Sequence, residues 1–184
     1  YGEILVKRDF VDIQGHWAQE DIRDMAQEGV VNGVSIMYFE PESAVTVAEF
    51  IALASRAADL SETGYKNAFT DVKAEDWYAK ILQAAYDKGY IVSELMPGGK
   101  LNPTSPITRE QMTAVVSKIV GKPGGAAPFA DQDQISPWAV DYVSAAAANG
   151  IVKGVEDNRF DPQGNATRAQ AAVIIKRMLQ NINQ

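Results

Sequence analysis

Residues 129–177 read FADQDQISPWAVDYVSAAAANGIVKGVEDNRFDPQGNATRAQAAVIIKR. From Trp138 onward, apolar side chains recur at Ala139, Val143, Ala146 and Ala147, the i, i+4, i+7, i+8 stripe of an amphipathic helix. Gly150, twelve residues after the tryptophan, supplies the left-handed residue that ends that helix. A second helix begins at Thr167-Arg168-Ala169-Gln170, a capping box in which the hydroxyl and the Gln170 side chain satisfy helix-start amides reciprocally. Its apolar face follows at Ala171, Ile174 and Ile175.

The unit occurs three times. Trp17, Trp77 and Trp138 lie 60 and 61 residues apart, and Gly29, Gly89 and Gly150 each follow twelve residues later. Phe39-x-Pro41, Leu101-x-Pro103 and Phe160-x-Pro162 come next, then Thr46, Thr108 and Thr167, then a base at Arg56, Lys118 and Arg177. Ahead of each tryptophan stands Asp12, Asp71 or Asp131, in Phe-x-Asp, suited to accept turn or cap amides. Asp76 and Ser136 are placed to cap the second and third copies' first helices. The copies run over 10–60, 69–121 and 129–180, which divides the chain into 1–68 (with a lead-in), 69–128 and 129–184. A helical hairpin of about 50 residues cannot bury both its faces alone. The expected fold is all-α: three helical-hairpin repeats closing into a pseudo-threefold trefoil around a shared helical core.

Composition narrows the function. The 184 residues carry 24 acids against 17 bases, a net charge of −7, which argues against bulk nucleic-acid binding. No apolar run approaches the ~20 residues of a membrane span. Cysteine is absent and His16 is the single histidine, so neither a thiolate or histidine-rich metal site nor a cysteine nucleophile can be assembled. Asp131-Gln-Asp133 and Asp157 to Asp161 lack the spacing of a calcium loop, and no metal or cofactor is expected. Threefold repetition offers no single pair of carboxylates for glycoside hydrolysis. Tyr1 to Asp9 does not have the pattern of a signal peptide, which is compatible with a leader already removed.

Phe-x-Asp, Trp, Gly-(Ile/Val)-Val-x-Gly, Phe-x-Pro and Thr-Arg-x-(Glu/Gln) together resemble the S-layer homology family, most fully in Phe129-Ala130-Asp131, Trp138, Gly150 to Gly154, Phe160-Asp161-Pro162 and Thr167 to Gln170. The resemblance covers residues 10 to about 180. It implies a secreted, non-catalytic anchor at the cell surface. Such modules hold S-layer proteins or surface enzymes on secondary cell-wall polysaccharide, often carrying a pyruvate ketal on N-acetylmannosamine, in grooves between repeats. Other S-layer subunits would be met through regions outside this chain. The competing reading is a helical repeat scaffold that binds another surface protein.

Within the resemblance, a ketal carboxylate is best matched by an arginine fork, and Arg109 and Arg168 sit at helix starts where unpaired amides also favour an anion. Trp17, Trp77 and Trp138 offer indole faces for a pyranose, or packing between repeats. Lys153 adds a cation where Asn32 and Val92 stand in the other copies. Gln111 and Gln170 accompany the arginines, with a mostly structural role. Arg56, Lys118 and Arg177 read as partners of helix C-terminal dipoles. Two departures predict unequal grooves: Val47 replaces the arginine in the first copy, and Ser93 replaces Gly33 and Gly154 in a loop two residues longer.

Overall fold

The computed structural model describes residues 9–182; the lead-in before Asp9 and the last two residues lie outside them. Six α-helices appear in chain order: α1 Gln19–Gln27, α2 Val47–Ala57, α3 Ala79–Asp87, α4 Arg109–Val120, α5 Val140–Ala148 and α6 Arg168–Ile182. Each tryptophan precedes a first helix, and each threonine caps a second one. Gly29, Gly89 and Gly150 take φ of 75°, 81° and 69°, which lets the next residue's amide reach back to Met25, Ala85 or Ala146.

The caps differ in detail from the sequence expectation. The reciprocal pair forms at Thr108 with Gln111 and at Thr167 with Gln170. At Thr46 only half forms: its hydroxyl accepts the Glu49 amide at 3.2 Å, and no bond returns from the Glu49 carboxylate. Asp76 does not cap α3, because its carboxylate accepts the amide of Lys73 at 2.8 Å and closes the preceding turn. Ser136 likewise turns away, giving its hydroxyl at 2.6 Å and its amide at 3.0 Å to the buried Glu110 carboxylate of α4.

Closure is directional. Just before the second helices, Val45 donates its amide to Ala166, Ala166 to Ile107 and Ile107 to Val45, a closed cycle of three hydrogen bonds at 2.9–3.1 Å. Two residues later the sense reverses. Val47 and Ala48 donate to Ser105 and Pro103, Arg109 and Glu110 to Gly164 and Pro162, and Arg168 and Ala169 to Ser43 and Pro41. Each helix start is therefore capped by carbonyls of the next repeat. The anion-ready amides expected beside Arg109 and Arg168 are already paired in this way.

Around this centre α2, α4 and α6 pack on one another. The first helices pack outside them, each on the second helix of the preceding repeat: α3 on α2, α5 on α4 and α1 on α6. Phe50, Ile51, Met112, Val115, Val116, Ile174 and Ile175 form the buried centre. Each such side chain contributes ~1.5–3 kcal/mol by leaving water. Tyr86, which stands in the second copy where Ala147 completes the apolar stripe of the third, is 42% exposed and packs edge-on against Phe69. At the closing seam Lys176 bonds Asp21 and Asp24, both at 2.7 Å.

The repeated aspartates hold the loops that connect the helices. Asp12 accepts the amides of Phe39 and Glu40, Asp71 those of Leu101 and Asn102, and Asp131 those of Phe160 and Asp161. Glu40, Asn102 and Asp161, each just before the proline, take positive φ of 53–57°. Two carboxylate bonds at each bend offset the strain of that conformation in a residue with a side chain.

Candidate functional site

Two grooves open at the seams between repeats, and every repeat contributes to both. The first, about 550 Å³, runs along the loop Gly29–Val34 and α2, with Arg168 from the third repeat and Trp77 from the second. The second, about 460 Å³, runs along Ile151–Glu156 and α6, with Arg109 from the second repeat and Trp17 from the first.

Both arginines reach across a seam into the neighbouring repeat. Arg109 Nε donates to the Phe160 carbonyl at 2.7 Å and Nη2 to that of Lys153 at 3.4 Å. Arg168 makes the corresponding bonds to Phe39 and Asn32, both at 2.8 Å. Each guanidinium also lies over the aromatic ring of the residue whose carbonyl it holds, Cζ being 5.2 Å from Phe160 and 4.7 Å from Phe39. Burial pushes both arginines below their ordinary pKa, against the pull of Asp161 and Asp131 on Arg109 and of Glu49, Glu40 and Asp12 on Arg168. Both remain charged at any physiological pH.

The guanidinium has five N–H donors, and two are used. The Nε edge is spent, while the Nη1 and Nη2 edge keeps a parallel pair for a carboxylate. Trp17 and Trp77 are 63% and 57% exposed, which leaves indole surface for a ligand. Lys153 and Gln170 line the second groove, Gln170 also accepting the Thr167 amide at 3.2 Å. Trp138 is half-buried against the core and lines neither groove. Gln111 also lies outside both, its side chain committed to the Thr108 amide at 3.0 Å.

Arg56, read from sequence as a helix-dipole partner, does stand in the last turn of α2 and also lines the first groove, whereas Arg177 lies five residues before the end of α6 and lines the second. Arg56 sits 5.8 Å from the centre of the Trp77 ring, and Arg177 Nη1 lies 3.5 Å from the Ile151 carbonyl. Their recurrence ten residues after each threonine was the available signal; its meaning depends on which repeat lies alongside. Gly33 shows why the loops are alike in two repeats only. A Cβ there would lie 2.4 Å from both Phe10 Cε1 and the Ser35 carbonyl. With Ser93 in that place, the second repeat's loop turns through Ser93–Leu95 and Pro97–Gly99. By the threefold register that loop belongs to the seam where Val47 stands in the arginine position.

A closed ring of helical repeats, two of whose seams gather side chains from all three repeats, defines a helical repeat module with composite inter-repeat grooves. Among the described residues no three histidine, cysteine, aspartate or glutamate side chains gather as a metal site. The S-layer homology domain model matches residues 9–51, 68–113 and 128–172. The chain belongs to the S-layer homology family as a non-catalytic anchoring module of the cell surface, and the family's general partner is secondary cell-wall polysaccharide. It is 38% identical to an amylopullulanase of Thermoanaerobacterium thermosulfurigenes over 98% of this chain and 10% of that protein. It is 38% identical to an exoglucanase of Acetivibrio thermocellus over 95% of this chain and 16% of that protein. A surface-layer 125 kDa protein of Lysinibacillus sphaericus is 30% identical over 95% of this chain and 15% of its own length. The chain thus spans less than a fifth of each of these relatives.

Proposed function

We propose that this module anchors a larger surface protein by holding an acidic unit of the wall polysaccharide, a pyruvylated N-acetylmannosamine, in the two inter-repeat grooves. The observation that carries the reading is the pairing, in each groove, of a seated arginine with an exposed tryptophan from a different repeat. The arginine's outer edge accepts a planar carboxylate in two parallel bonds. The indole covers the C–H face of the sugar, which brings apolar contact to a polar ligand. The carbonyls of Phe39, Asn32, Phe160 and Lys153 hold the guanidinium groups before ligand arrives, so little ordering is left to binding. Proteins with different printed activities share this piece, which suits a role that is separable from catalysis.

Calorimetric titration of the sugar with and without its ketal tests the reading. Losing one partner of a desolvated charge pair costs ~2–5 kcal/mol, so the ketal-free sugar is expected to bind at least tenfold more weakly. Equal affinities would overturn the proposal.

A further inference from the structure

The two grooves share a plan but not a charge. The groove along 29–34 is lined by Arg168 and Arg56 against Glu49 and Asp59, and Arg56 is further shared with Glu62 at 3.4 Å. The groove along 151–156 is lined by Arg109, Lys153 and Arg177 against Glu156 alone. Carboxylates behind the arginines do not remove the contrast, because Asp131 and Asp161 near Arg109 correspond to Asp12 and Glu40 near Arg168. Glu49 is extra to the first groove. Its position is taken by Gln170 in the second.

The two arginines of this groove converge on one short segment. Arg109 holds the carbonyl of Lys153 and Arg177 approaches that of Ile151. Those carbonyls are two residues apart, which the chain cannot stretch beyond ~7 Å. Among the described residues neither Lys153 nor Arg177 makes an ion pair. Arg177 is half-buried and lies in the field of Asp21, but that carboxylate is itself bonded to Lys176 at 2.7 Å and lines neither groove.

From this we infer a division of labour: the groove along 151–156 takes a glycan unit bearing two negative charges, and the groove along 29–34 takes a unit bearing one. The inference rests on the proposed acidic ligand and deepens it. The second acid is an oxyanion within one or two sugars of the ketal, a carboxylate or a phosphate ester. In the first groove Glu49 and Asp59 repel it, and they are better suited to accept bonds from sugar hydroxyls.

The test uses the whole chain with one groove disabled at a time. Arg168→Ala leaves the cationic groove and Arg109→Ala leaves the balanced one; Trp77→Ala and Trp17→Ala are companion variants should either arginine variant fail to fold. Each is titrated with pyruvylated N-acetylmannosamine, with its phosphate ester, and with a disaccharide that adds a uronic acid. In the cationic groove at least one doubly charged probe is expected to bind about two- to fivefold more tightly than the singly charged sugar. The gain should shrink as salt rises and disappear with Lys153→Gln and Arg177→Gln. In the balanced groove the second charge is expected to weaken binding or leave it unchanged. An equal gain in both grooves, or none in the cationic groove while the singly charged sugar binds, overturns the division and leaves the anchor reading standing. If no probe binds to either groove, both fall.

Discussion

Arg109→Ala is expected to destabilise the protein as well as weaken its ligand binding. Arg109 is 7% exposed and bonds two carbonyls of the neighbouring repeat while stacking on Phe160. Hydrogen bonds from a charged donor contribute ~1.5–3 kcal/mol each, although the 3.4 Å contact to Lys153 belongs at the bottom of that range. Removing the buried cation also returns its desolvation cost, which lowers the net loss to about 3 kcal/mol. For a chain of this length that corresponds to a fall in melting temperature of about 6–12 °C. Arg168 makes matching bonds but is half-buried, so water replaces part of what alanine removes, and the expected loss is about 1–2 kcal/mol. Urea unfolding of the two variants beside the parent, with slopes compared, measures both values. A parent-like midpoint for Arg109→Ala would refute the claim that this side chain holds the seam. It would also make the arginine a surface ligand and nothing more.

Three further outcomes are expected. Val47 provides no donor at the third seam, so titration of the singly charged sugar is expected to give at most two strong sites per chain; three equivalent sites would contradict this. Trp17→Ala and Trp77→Ala should each lose glycan binding in their own groove at nearly parental melting temperature, whereas Trp138→Ala should lower the melt by several degrees, because only Trp138 packs against the core. Burial works against ionised Asp131, but the Phe160 and Asp161 amides and Arg159 outweigh it and hold its carboxyl below the usual range. A depressed carboxyl gives stability that is complete above the unfolded value of ~3.9 and is lost as pH falls through the folded one. Acid unfolding should therefore steepen below about pH 4, and Asp131→Asn, with one acceptor fewer for the two amides, should cost about 1–3 kcal/mol at neutral pH and flatten that acid limb.

The repeats, the starts of the second helices, the glycine stops and most of the buried faces were legible because they depend on local periodicity and capping, whereas Asp76 and Ser136 looked like caps and serve other partners. The grooves were legible as types of residue but not as places. Arg109 and Arg168 were visible beside their capping boxes, yet their actual seats are carbonyls at Phe160, Lys153, Phe39 and Asn32, which no side-chain pattern records. Helix-start amides looked open for an anion because their partners come from another repeat. The register of Arg56 and Arg177 was legible but their place on the grooves was not, for the same reason: the sequence orders residues within a repeat, and the site is built across three. Trp138 stands in register with Trp17 and Trp77 but is half-buried against the core.

The sharing of each groove among three repeats has a consequence for how such a module is inherited. Arg168 with the loop at 29–34 and Trp77, and Arg109 with the loop at 151–156 and Trp17, each draw on the whole set. A gene that loses one repeat therefore does not keep two thirds of its attachment; it loses a wall of both grooves at once. Duplication of a single repeat gains no groove either, since the cycle through Val45, Ile107 and Ala166 is already closed. Selection then acts on the triplet as the unit that recombination must move intact, and each copy is free to drift only in the residues its two neighbours do not use.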